Sequence, residues 1–98
     1  MLNEIEELLT AEAPPLDRLE STLTDGYAQA LALEAERWRL ERKISQVATK
    51  LGQVSDERRH SELANLGQRL TVADGDLTQL RGLLSSLRTR AAEVRADA

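Results

Sequence analysis

Glu57 and His60 form the one Glu-x-x-His pattern in the sequence, because the chain contains a single histidine. On a helix this spacing puts both side chains on one face, and di-metal bundle proteins use two such motifs together with two further glutamates. The residues expected to face the pattern here are Gln46, Val47 and Lys50, which supply no carboxylate. We therefore predict no metal site and no cofactor.

Nucleophilic and acid–base chemistry also lack the residues they need. Cysteine is absent, which excludes thiolate catalysis and disulfides, and no glycine-rich phosphate loop is present. The abundant carboxylates have basic residues three or four positions away, as on a solvated helix face, whereas acid–base catalysis needs desolvated carboxylates with shifted pKa values. We predict that the protein is not an enzyme and has no small-molecule substrate.

A row of arginines, Arg81, Arg88 and Arg95, recurs at seven-residue spacing and is the strongest candidate for a polyanion contact. The same row can instead flank a helical core and pair with acids such as Glu20. Nucleic-acid binders more often carry a strongly basic stripe, whereas this chain has a net charge of −4. A small dimeric nucleic-acid-associated regulator using this row is therefore the alternative hypothesis, not the leading one.

The composition indicates long helices and excludes an aromatic core. The 98 residues include no Phe, one Tyr and one Trp, and 31% of them are charged. Such a chain is a single domain at most, and its composition is typical of coiled coils. No apolar stretch approaches the ~20 residues that cross a bilayer, and the first residues do not resemble a secretory signal. We expect an all-α cytoplasmic protein with no membrane contact.

Two segments carry the three-four spacing of coiled-coil helices, and we call these residues the seam positions. The first set is Leu16, Leu19, Leu23, Gly26, Ala30, Leu33, Arg37, Leu40, Ile44, Val47 and Leu51. The second set is Leu63, Leu66, Leu70, Ala73, Leu77, Leu80, Leu84, Leu87, Ala91 and Val94. The two sets predict helices over about 16–51 and 56–95, with a break or kink as an open alternative at Thr24–Gly26 because glycine disfavours helix interiors.

A turn at 52–55 is predicted to join these helices into a long antiparallel hairpin spanning 14–98. Gly52 can adopt the left-handed conformation that ends a helix, and Ser55 can cap the next one. Continuing the first repeat through the turn would also put Arg58 and Asn65 at seam positions, out of phase with the leucines that follow. A turn resets the phase, and short connections favour antiparallel neighbours.

Residues 1–13 carry the whole charge excess, since four acids and no bases lie there while the rest of the chain holds thirteen of each. Apolar residues recur at helical spacing through Leu2, Ile5, Leu8 and Leu9. Pro14–Pro15 must end any helix. The pattern predicts a short acidic amphipathic helix, with a flexible tail as the alternative because short helices are marginal alone.

Apolar residues away from the seam positions supply the candidate partner-binding residues, namely Tyr27, Leu31, Trp38 and Leu83. Scattered exposed apolar residues are ordinary, and the N-terminal helix is one candidate to cover them. A two-helix core is narrow, however, and small domains usually need a further layer. We therefore predict association with a second copy, giving a four-helix-bundle homodimer, or with a helical protein partner.

The charges predict the register of the hairpin, in which Glu36 approaches Arg69 and Lys43 approaches Glu62. Reversing the charge of Glu36 or Arg69 alone should lower the free energy of unfolding by a few tenths of a kcal/mol, about the strength of one surface ion pair. Reversing both should restore the loss, as measured by urea unfolding. A double variant no more stable than the single variants would show that this register is wrong.

Overall fold

The computed structural model describes residues 1–53 and 56–97, and the described chain forms three helices and no strand. Helix α1 spans Leu2–Thr10, α2 spans Leu16–Gln53 and α3 spans Glu57–Asp97. The all-α prediction is confirmed, and the two long helices fit a helical hairpin. Within these residues no helix has a stretch of the length and apolar character needed to cross a membrane.

Most of the buried side chains of the described residues are at seam positions. All twenty-one of them are buried or partly buried, including Leu19, Leu66, Leu77 and Leu87, which are among the most completely buried side chains. The three-four spacing explains this burial, because it puts one side chain per turn on the same stripe of each helix. The chain divides into two compact units, one of residues 1–31 with 77–98 and the other of residues 32–76.

In the first unit, α2 and α3 run antiparallel. Glu20 near the start of α2 accepts a 2.6 Å bond from Arg95 near the end of α3. Gly26, further along α2, lies against Leu84, which is earlier in α3. For Arg95, this ion pair is the one that the structural role of the row predicts.

Helix α1 is an integral part of the first unit. Ile5 is completely buried and Leu8 nearly so. The segment after α1 is fixed as well, because Arg90 donates a 3.0 Å hydrogen bond to the carbonyl oxygen of Glu12 and Pro14 is buried. The N-terminal segment is thus an ordered helix that adds a third element to the packing of this unit.

Helix α2 runs without a break through Thr24–Gly26. Gly26 is buried, and a Cβ atom built at this position would overlap the Cδ2 atom of Leu84. The glycine therefore serves close approach of the two helices, with Leu84 occupying the space where a side chain would lie. Close packing outweighs the poor helix propensity of glycine at this position.

The second unit has its own core, in which Leu40, Val47, Leu66 and Ala73 are buried. Three partly buried neighbours, Ile44, Leu63 and Leu70, pack against them. All seven residues are seam positions. No aromatic side chain contributes to this core, which is built of aliphatic residues, as the composition predicted.

Ion pairs flank this core. Arg69 lies 3.6 Å from Glu36, which is the pairing that the predicted register requires. Arg37, the charged residue at a seam position, is only partly buried and directs its guanidinium to Asp74 at 3.1 Å and Glu41 at 3.8 Å. The long aliphatic stem of arginine allows this arrangement, in which the stem packs at the seam while the charge reaches solvent.

Helix α2 ends two residues later than predicted. Gly52 lies inside α2, which continues to Gln53, and none of the described glycines has a positive φ. The left-handed terminator predicted at Gly52 is therefore wrong. The predicted Ser55 cap lies outside the described residues. Asp56 caps α3 instead, because its carboxylate accepts a 2.8 Å bond from the backbone N–H of Arg59.

The complete burial of Ile5 predicts that α1 stabilises the first unit. Ile5→Ala should lower the free energy of unfolding by about 2–5 kcal/mol, the usual cost of such a cavity. Glu4→Ala, at an exposed position on the same helix, is the matched control and should change it by less than about 0.5 kcal/mol. Thermal and urea unfolding measure both variants. If Ile5→Ala and Glu4→Ala lowered the free energy of unfolding by the same amount, this result would contradict the packing of α1.

Gly26→Ala should lower the free energy of unfolding. Overpacking against buried Leu84 costs about 1–3 kcal/mol, which exceeds the gain of about 1 kcal/mol from the better helix propensity of alanine. In a Leu84→Ala background the same change should become stabilising. Gly82→Ala is the matched control, since nothing lies within 4 Å of a Cβ there. A stabilising Gly26→Ala in the unmodified chain, measured by urea unfolding, would refute the close approach.

Candidate protein-interaction surfaces

Three of the predicted partner-binding residues are exposed on α2. In the first unit, Tyr27 is 43% and Leu31 66% exposed, and in the second unit Trp38 is 60% exposed. Within the first unit, exposure of this degree shows that α1 does not cover Tyr27 or Leu31. Along the sequence of α2, Leu31 and Trp38 are one heptad apart, and exposed Ala35 lies between them at three-four spacing. We call Leu31, Ala35 and Trp38, a set defined by this sequence spacing, the outer row.

Leu83, the fourth predicted residue, is not brought together with the others. It is partly buried, and it lies one heptad before Arg90, which binds the segment that follows α1. Tyr27 lies one heptad after Glu20, which binds Arg95. In the first unit these two residues therefore belong to opposite flanks of the helix pair. Spacing within each helix revealed the off-seam residues but not which flank each one occupies.

Trp38 is paired with a cation that sequence reasoning did not identify. The guanidinium of Arg42 lies 5.0 Å from the centre of the indole ring, within the range of a cation–π interaction. The signal was present in the sequence, because a Trp and an Arg at i and i+4 are neighbours on a helix. Arg42 also lines a shallow hollow of about 230 Å³ with Arg39, Lys43 and Gln46. The side of α2 next to Trp38 is therefore basic.

A larger groove of about 430 Å³ lies between α2 and α3 in the second unit, and sequence reasoning also missed it. Its apolar lining is Leu33, Leu40, Val72 and Ala73. Its polar lining is Glu36, Asn65, Gln68, Arg69 and Asp76. Val72, exposed by 62%, is its most accessible apolar residue. We refer to this feature as the groove.

Neither the Glu-x-x-His pattern nor the arginine row lines the groove or the hollow. Glu57 and His60 are exposed in the first turn of α3. Across the described ranges, no three His, Cys, Asp or Glu side chains come together in a group that could hold a metal ion. Of the arginine row, Arg95 is bound to Glu20. The surfaces described above can supply apolar contacts, positive charges and hydrogen-bond donors to a partner.

Comparison with known proteins gives no relative: no protein-family model, no curated protein and no solved structure matches this chain. Its function has to be inferred from the surfaces described above.

Proposed function

We propose that this chain is a non-enzymatic structural or adaptor protein that acts through helix–helix association, using the outer row of α2. The observation that carries the proposal is the exposure of Trp38 and Leu31 at 60% and 66% on a helix that already buries its seam positions. Trp is enriched in interface hot spots. Removing the exposed part of these apolar side chains from water stabilises a bound state, and for Leu31 the gain is at most about 1.5–3 kcal/mol, the value for burying a fully exposed side chain.

The geometry of the outer row suits a helical partner. Leu31, Ala35 and Trp38 repeat the three-four spacing of the seam positions, and this is the spacing by which helices interlock side chains. Ala35 is small and permits close approach between two large anchors. The sequence of α2 therefore carries two apolar series, the seam positions, which pack within the protein, and the outer row, which we propose as the series that binds a partner.

Charge next to the outer row narrows the class of partner. Arg39, Arg42 and Lys43 line the hollow next to Trp38, and of these three Arg39 is held by Glu36 at 2.9 Å. A partner helix with an apolar stripe and acidic residues along one edge would complement this surface, because opposite charges at the edges of a helix pair set partner choice. Such a helix can belong to another protein or to a second copy, which would give the four-helix bundle predicted from the sequence.

Nucleic-acid association through the arginine row has weaker support. The guanidinium of Arg95 lies 2.6 Å from the carboxylate of Glu20, so a phosphate would have to replace an ion pair that the protein already makes. The hairpin has no charge excess that would draw a polyanion to it. The helix-association proposal therefore takes precedence.

The proposal predicts that a Leu31→Ser, Trp38→Ala double variant folds normally, because both side chains are exposed, but loses its partner. Affinity capture from an extract of the source cells should recover at least tenfold less partner protein than the unmodified chain, as measured by mass spectrometry; a loss of about 1.4 kcal/mol of binding energy corresponds to tenfold. Ala48→Ser is the control, since Ala48 is an exposed apolar residue of α2 that belongs neither to the outer row nor to the groove.

Circular dichroism of all three proteins must first show equal helix content. Equal recovery of partner by the double variant and the unmodified chain would refute the role of the outer row. Capture that disappears on nuclease treatment would favour the nucleic-acid alternative.

A further inference from the structure

The groove of the second unit is an apolar cleft whose polar rim carries both signs of charge. Leu33 and Leu40 of α2 lie on one side, and Val72 and Ala73 of α3 lie on the other. Val72 is 62% exposed, although it borders this apolar space. A partner that fills the groove would remove Val72 from water, and water in an apolar cleft of this kind is readily displaced by an apolar group.

The rim charges on α3 are placed symmetrically about Val72. Arg69 lies three residues before it and Asp76 four residues after it, and both are exposed. They are separated along the helix by about 10 Å. A two-fold axis through the Val72–Ala73 position would bring two copies of α3 together in opposite directions. Each Arg69 would then face the Asp76 of the other copy, and the two Val72 side chains would meet at the centre.

We propose that the groove binds a second copy of this chain in a two-fold symmetric dimer, in which each α3 packs across the other at Val72. The occupant follows from the charges: on α3, a cation and an anion lie at equal distances on either side of an apolar centre, so this surface is complementary to itself when turned by 180°. Arg69 also lies 3.6 Å from Glu36 of its own chain, and in the dimer its exposed guanidinium would contact both this carboxylate and Asp76 of the other copy. This self-complementarity is what an isologous interface requires. The proposed surface is distinct from the outer row, so the dimer leaves Trp38 available to a partner.

The interface is small. Its apolar centre consists of one exposed side chain per copy and the lining of the groove, which puts it at the low end of the size range for specific complexes. We expect a dimer that forms in the micromolar range and dissociates on dilution. Because both charged residues are exposed, the association should also weaken with salt.

Sedimentation equilibrium at low ionic strength tests the proposal with two single variants. In an Arg69→Asp dimer, two carboxylates would face each other at both rim contacts, and in an Asp76→Arg dimer two guanidinium groups would do so. Each variant alone should dimerise at least roughly tenfold more weakly, since two attractive surface contacts become repulsive.

An equimolar mixture of the two variants should dimerise as well as the unmodified protein. In the mixed pair, the introduced carboxylate faces the introduced guanidinium, while the unchanged Asp76 and Arg69 face each other. Restoration by mixing requires a contact between position 69 of one chain and position 76 of another, because no arrangement confined to one chain responds to mixing. A closed dimer mass in the same experiment then distinguishes the two-fold contact from a head-to-tail one, which would form longer assemblies. Asp74→Asn is the control for the loss of an ion pair between α2 and α3 within one chain. It removes the 3.1 Å pair of Arg37 with Asp74, neither of which lines the groove, and it should leave dimerisation undiminished.

Three results would overturn the proposal: an unmodified protein that stays monomeric to high micromolar concentration, single variants that dimerise normally, or single variants that mixing does not restore. If a charge variant fails to fold, Val72→Glu replaces it and should abolish the dimer. The Leu31→Ser, Trp38→Ala variant should dimerise like the unmodified chain. A loss there with normal charge variants would assign self-association to the outer row instead.

Discussion

The interlocking of two aliphatic stripes between α2 and α3 is the constraint on which the rest of this structure depends. The chain has no Phe and only two aromatic residues, so aliphatic seam positions must supply nearly all of the buried surface. Helices of about 40 residues are held mainly by such packing and not by intrinsic propensity. Each helix therefore stays ordered because the other covers its stripe. The outer row lies outside that stripe, and the groove borders it through Leu33, Leu40 and Ala73.

Other features of the fold are consequences of this narrow core. In the first unit the packing is completed by α1, whose Ile5 is fully buried, and by a glycine at position 26 that lets Leu84 approach α2. In the second unit no further helix is added, and the groove beside Val72 stays open. We therefore place self-association in the second unit, because no described residue of the same chain fills its groove.

Much of this fold was predictable from periodicity, because a three-four repeat determines which residues share a stripe. The seam positions and the Glu36–Arg69 contact follow from spacing and charge alone. Local rules gave less reliable results: the terminator predicted at Gly52 lies within α2, and Gly26 does not break the helix. At Gly26, packing against Leu84, which is distant in sequence, outweighs the preference of glycine. At Gly52, continuation of the helix outweighs it. The groove was not predictable, since its lining comes from two helices whose rotation about their axes the sequence does not specify.

The most direct test of this account measures whether the ends of the long helices meet. Glu20→Cys and Arg95→Cys place two spin labels at the ion pair of the first unit, and the chain has no other cysteine. With labelled protein diluted into unlabelled protein, electron–electron double resonance should give one short distance, about the 10 Å between neighbouring helix axes plus the label linkers. A continuous helix would separate the labels by about 110 Å. A spectrum without the short distance would contradict the antiparallel pairing on which both proposed surfaces rest.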